Sequence, residues 1–222
     1  MTDAGLRDVA LIGYSGHAWV VADCLLAAGE RLGGYCERTA VARDPYHLPY
    51  LGPEAEAAVL VRLRALRWIV SVGDNTIRAR VQQWLSDALG AAATIVQHPS
   101  AVLSSLAELG AGTLLAPLAV VNAAARVGQG CIINTGAIVE HECQLGDFVH
   151  VAPGAVLAGN VTVGAGALIG VGAAVRPGIR IGAGALVGAG AVVVKDVPAG
   201  ARVVGNPLRL LLPAISPLTP VI

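Results

Sequence analysis

Residues 139–163 read VEHECQLGDFVHVAPGAVLAGNVTV, and residues 164–187 continue as GAGALIGVGAAVRPGIRIGAGALV. Taken in sixes the register never breaks: Val139, Leu145, Val151, Leu157, Val163, Ile169, Val175, Ile181 and Val187 follow one another. Working outward, the same register runs back through Ile133, Val127, Val121, Leu115 and Leu109 to Leu103, and forward to Val193. Four places after each aliphatic residue from Leu109 onward stands a mostly small or β-branched one, from Thr113, Ala119 and Ala125 through Cys131 and Cys143 to Val197. Neither a helical period of 3.6 nor a strand period of 2 gives this pattern. A period of six with glycine at the corners marks a parallel β-helix. Each hexad is a short strand and a turn, and three hexads make one coil of a triangular prism. The aliphatic residue fills the interior, and coils stack about 4.8 Å apart through backbone hydrogen bonds. Residues eighteen apart then lie one above another.

Upstream the pattern changes. Residues 8–14 (DVALIGY) predict a buried strand, His17–Ala28 a helix and Leu32–Cys36 a strand, followed by a Pro/Tyr-rich connection from Arg43 to Pro53. Glu54–Arg67 predicts a helix, Trp68–Gly73 a strand, Asn75–Leu89 a helix and Ala92–Val96 a last strand. Strands alternating with helices mean a small parallel α/β sheet of Rossmann-like kind. The expected division is an α/β domain over residues 1–96, the all-β solenoid over 97–207 and a short Pro-containing tail over 208–222.

Composition narrows the function. The formal net charge is zero, so no basic face points to nucleic acid and no acidic tail to a charged partner. Phe148–Val175 carries no Asp, Glu, Lys or Arg and is long enough to span a bilayer. It keeps the six-residue register throughout, for which a spanning helix has no use, so no membrane role is expected. Met1-Thr-Asp-Ala-Gly5 shows no basic stretch followed by an apolar core. No secretory signal is therefore expected, and a cytoplasmic location is. Cys24, Cys36, Cys131 and Cys143 form no CxxC pair and read as small buried hydrophobes in a reducing compartment.

Two places carry chemistry. The turn Gly13-Tyr-Ser15-Gly16-His17 follows a strand and opens a helix, with Glu37 just past the second strand and Gly73-Asp-Asn75 ending another at the same edge. Ligands of open parallel sheets lie off the carboxyl ends of the strands, and phosphate favours a helix N-terminus. A nucleotide-like ligand fits there, although glycines at a βα turn also serve merely to turn the chain. In the solenoid, His141 lies two residues after an interior position, between Glu140 and Glu142. A neighbouring carboxylate orients an imidazole and strengthens it as a base, and Gly159, eighteen residues on, leaves room for a ligand beside it. A solvated corner histidine is the competing reading. Zinc would need three or four converging side chains, and the solenoid has only His141 and His150, so no metal is expected.

These residues amount to a resemblance. VEHECQLGDFVHVAPGAVLAGNVTVG, with INTGAI before it and KDVPAG and GNP after it, resembles the hexapeptide-repeat acyltransferases. LIGYSGH, Glu37, SVGDN and QHPSAV narrow this to the bacterial nucleotide-aminosugar N-acetyltransferases of bacillosamine and perosamine type, grouped with the sialic acid O-acetyltransferases. The resemblance implies that the β-helix is left-handed. It implies acetyl-CoA as co-substrate, a nucleotide-sugar acceptor of the 4-amino-4,6-dideoxy type, and a homotrimer with the cofactor between neighbouring prisms. It implies His141 as general base with Glu142 supporting it. His150 would meet the thioester end, and Gly159, Val171 and Ala189 would line the cofactor groove. Gly13, Ser15, Gly16, His17, Glu37 and Gly73 would hold the nucleotide-sugar. A sugar O-acetyltransferase and a non-catalytic nucleotide-sugar scaffold remain the alternatives.

Overall fold

The computed structural model describes residues 8–211. The N-terminal part runs β1 (Val9–Ile12), α1 (Gly16–Ala27), β2 (Leu32–Cys36), β3 (Tyr50–Gly52), α2 (Ala57–Leu63), β4 (Arg67–Val70) and α3 (Asn75–Leu89). Its four strands form a parallel sheet in the order β3-β2-β1-β4. Alternation along β1 sends Val9 and Leu11 to the α1 side and Ala10 and Ile12 to the side of α2 and α3. Asp74 starts α3 by accepting a hydrogen bond from the Ile77 amide, and Gly90 ends it in the left-handed conformation, the usual chemistry of a helix start and stop.

Three expectations change. The strand expected at Ala92–Val96 is only Val96–Gln97 (β5), and it pairs with Leu114–Leu115 of the prism rather than with the N-terminal sheet. The sheet gains its fourth strand from Tyr50–Gly52, inside the segment read as a connection. The helix expected at Glu54–Arg67 is the shorter Ala57–Leu63.

From β5 onward the chain winds as a left-handed parallel β-helix, each strand up to Val192–Val193 two residues long, the first facing out and the second in. The three faces are built from parallel pairs eighteen residues apart, such as Arg126↔Gln144, Ile132↔His150 and Ile138↔Val156. The inward residues, with the small ones between them, form one continuous core from Ala101 to Val203. Corner glycines sit where coils touch: a Cβ on Gly146 would lie 2.7 Å from the Ala165 amide nitrogen. Phe148–Val175 lies within these coils, and no helix among the described residues is long and apolar enough to cross a membrane. The last coil is shortened, with Leu186 pairing to Arg202, and Arg209–Leu210 turns back antiparallel on Arg202–Val204. The rest of the expected tail, 212–222, lies outside the described residues.

The outward residues give each face its character. One face carries Val96, Leu114, Ile132, His150, Leu168 and Leu186, and α1 packs on its first three. This is the docking face. The second carries Val102, Val120, Ile138, Val156, Ala174 and Val192, all apolar. The third carries exposed Glu108, Arg126, Gln144, Thr162 and Arg180.

Candidate active site

At the carboxyl ends of β1 and β2 lies a cavity of about 300 Å³ whose lining includes Gly13, Ser15, Glu37, Arg38, Glu54 and Arg80. Gly13 has φ +87°, and a Cβ there would lie 2.5 Å from Val72 Cγ2, so the turn admits glycine alone. Gly16 opens α1 with no atom within 4 Å of where a Cβ would stand. Glu37 is tied back to the turn, accepting from the Tyr14 amide at 2.8 Å. Of the residues expected to hold a nucleotide-sugar, Gly13, Ser15 and Glu37 therefore line this cavity, and Gly16 borders open space at the helix N-terminus.

His17 and Gly73 stand elsewhere, at the seam with the docking face. The rings of His17 and His150 lie 6.4 Å apart. His150 Nε2 accepts from Asn134 Nδ2 at 3.1 Å, the tautomer following from the amide donor. Burial, then the nearby Arg78 charge, pushes His17 and His150 each down to about 4; a hydrogen bond with the Gly73 backbone opposes this at His150. Both imidazoles are consequently neutral near neutral pH. His150, expected against the cofactor, thus shares its surroundings with residues expected to hold the sugar.

Arg78 organises this seam. It is 1% exposed and donates to the carbonyls of Val72, Gly73, Gly130 and Phe148 and to Asn75 Oδ1. Asn75 Nδ2 in turn donates to the carbonyls of Gly166 and Ala167. A guanidinium so deeply buried is stable only with such a set of acceptors. Sequence reading missed Arg78, Asn134, Arg38 and Arg80. The one available signal was the Asn75–Arg78 spacing, which puts both on one face of α3.

His141 stands at the corner between the apolar and the polar face, opposite the docking face. Its Nδ1 lies 3.0 Å from Glu142 Oε2, with the side chains 58% and 65% exposed. A proton on Nδ1 shared with the carboxylate leaves the lone pair on Nε2, which is the form a general base needs. Directly beneath, a Cβ on Gly159 would lie 2.5 Å from His141 Cε1. Glu140 Oε2 accepts from Asn122 Nδ2 at 2.9 Å and from the His141 amide at 3.4 Å. Cys143 is buried, its thiol donating to the Ala158 carbonyl and pushed up by burial, so it is no nucleophile. Val171 and Ala189 lie at a different corner, between the docking and apolar faces, so one chain does not bring them together with Gly159. Among the described residues no three His, Cys, Asp or Glu side chains gather as a metal ion would need.

The model of the PglD N-terminal domain matches residues 8–85. A histidine-to-asparagine mutant of perosamine N-acetyltransferase from Caulobacter crescentus, in complex with CoA and GDP-perosamine, is 37% identical, with a TM-score of 0.88 over 94% of this chain and 99% of that one. The chain belongs to the bacillosamine- and perosamine-type N-acetyltransferase family. The acetyltransferase domain of PglB from Neisseria gonorrhoeae in complex with acetyl coenzyme A agrees with this membership. It is 36% identical, with a TM-score of 0.87 over 93% of this chain and 100% of that one. WeeI from Acinetobacter baumannii is a more distant likeness, 28% identical with a TM-score of 0.80 over 92% of this chain and 99% of that one. No curated protein matches the sequence. The N-acetyltransferase fold accounts for both halves of the chain, since these structures are covered nearly end to end.

Proposed function

We propose that this protein transfers the acetyl group of acetyl-CoA to the amino group of a nucleotide-linked 4-amino-4,6-dideoxy sugar, with His141 as general base. The observation that carries the assignment is the exposed His141–Glu142 pair, its imidazole lying directly over Gly159, in a chain of this family. The amine loses a proton to Nε2 as its nitrogen forms a bond to the thioester carbon. The tetrahedral adduct then collapses, the C–S bond breaks, and the proton passes from the imidazolium to the departing thiolate. Holding both substrates in place supplies much of the rate, because it removes the entropy of encounter.

The nucleotide-sugar lies off the ends of β1 and β2, with its sugar toward the seam of His17, Gly73 and His150. Within one prism that seam and His141 are on opposite sides. The three faces supply the remedy. The docking face is covered, the polar face suits water, and the apolar stripe from Val102 to Val192 is the face left for burial against other copies. Turning three apolar faces toward a threefold axis brings the His141 corner of one chain against the next chain's corner of Val171 and Ala189. Gly159 of one chain and Val171 and Ala189 of its neighbour then line one groove for acetyl-CoA, and the protein is a homotrimer.

The test is thiol release from acetyl-CoA with a panel of nucleotide-linked amino- and hydroxy-sugars. An amino-sugar is the acceptor, and His141→Ala lowers kcat by about 10²–10⁴-fold with both substrates still bound. Turnover of hydroxy-sugars alone, or a variant as fast as wild type, overturns the assignment.

A further inference from the structure

Beside the first cavity lies a second, of about 260 Å³, lined by Glu54, Ala55, Arg80, Val81 and Trp84. Glu54, Arg80 and Val81 line both cavities, so the two adjoin along α3. Glu54 is half-buried, and neither its carboxylate nor the Arg80 guanidinium makes a hydrogen bond or ion pair within 4.0 Å among the described residues. A half-buried carboxylate that takes no donor from the protein is placed to accept hydrogen bonds from a ligand. Arg38 stays in the first cavity, near the α1 N-terminus, where a diphosphate belongs. Glu37, past the second strand, suits ribose hydroxyls. That order leaves the second cavity, with the Trp84 ring in its wall, for the base.

The reading rests on the proposed nucleotide-sugar acceptor and adds its nucleobase. We infer that Glu54 and Arg80 read the edge of a guanine, so that the acceptor is a guanosine diphosphate sugar. An ionised carboxylate only accepts, and a guanidinium only donates. Guanine presents O6 as acceptor beside N1–H and the 2-amino group, two adjacent donors that match a carboxylate's two oxygens. Uracil and thymine place a carbonyl on each side of their single N–H, so one oxygen of Glu54 would face another acceptor. Adenine and cytosine set a ring-nitrogen acceptor beside their amino group. A site built to accept two hydrogen bonds disfavours a ligand lacking one of them, because one of its own acceptors is left facing a group that cannot donate.

Calorimetric titration of the full chain with GDP, IDP, UDP and dTDP tests this. GDP binds at least 10-fold more tightly than UDP or dTDP. IDP, which keeps N1–H and lacks the 2-amino group, falls between them. Glu54→Gln turns one acceptor into a donor, so it weakens GDP at least 10-fold and leaves UDP within about twofold. UDP or dTDP binding as tightly as GDP, or Glu54→Gln weakening every diphosphate alike, overturns guanine recognition while keeping the nucleotide cleft. Failure of all four to bind, with acetyl-CoA still bound, overturns the cleft itself and the guanine assignment with it.

Discussion

Gly159 decides where the His141 ring stands. A Cβ there would come within 2.5 Å of Cε1 and 2.6 Å of Nε2, so Gly159→Ala pushes the imidazole off its position. The obstructed atoms are the end of an exposed side chain, so the fold yields at little cost. The expected result is a kcat reduced by roughly 10–100-fold, with the melting temperature unchanged and acetyl-CoA binding weakened in parallel. An unchanged kcat would show that the base is not at this corner. Glu142 adds a second local device: it holds φ +61° at a position where Gly178, two coils on, takes the same left-handed turn without penalty. A non-glycine residue there costs about 1–2 kcal/mol, and at Glu142 it sets the carboxylate on Nδ1 of His141. The EHE segment and Gly159 were legible in the sequence, because an eighteen-residue coil makes stacking a matter of counting. The backbone strain at Glu142 was not legible, since nothing in residue type marks a left-handed glutamate.

At the scale of elements, the seam between α1, α3 and the docking face makes stability depend on pH. His17 and His150 sit at about 4 in the fold against 6.5 free, through burial first and the Arg78 charge next. Below 6.5 the unfolded chain takes up protons that the folded seam refuses, so stability falls as pH drops from 6.5 toward 4. Above 6.5 both states hold neutral imidazoles, and this contribution is fully present. The melting temperature of wild type therefore declines across that window, and His17→Asn shows a shallower decline. Equal slopes would mean that water reaches the seam and protonation there is free. This seam was the least legible part of the site. Arg78 reads as one more charge on an amphipathic helix until its five acceptors, drawn from both halves of the chain, are in view. The same limit hid Tyr50–Gly52. Three residues in a Pro/Tyr-rich stretch carry no period, and their pairing with Tyr35 and Cys36 is fixed by the sheet edge alone. The hexads escaped this limit because each coil repeats the same local rule.

At the scale of the whole molecule, the N-terminal cleft and His141 lie on opposite sides of one prism, and in the proposed trimer catalysis is a property of neighbouring chains. This can be separated from a one-chain site by mixing two defects. One chain carries His141→Ala. The other carries Arg38→Glu and Arg80→Glu, which reverse the charge of two cations lining the nucleotide cleft. Each homotrimer alone is inactive. Co-expressed at equal levels, the chains assemble at random around a closed ring, and a site forms wherever an intact His141 meets the intact cleft of the next chain. Each of the two independent conditions is met half the time, so about one quarter of wild-type turnover returns. A site contained within one chain cannot be rescued, because every chain in the mixture lacks one half of it. Charged substitution on the apolar face provides the companion measurement: Val156→Glu places a carboxylate in the proposed interface. The expected product is a monomer by sedimentation that still binds nucleotide diphosphate through its own cleft but no longer turns over. A monomeric Val156→Glu chain with full activity would return the active site to a single prism.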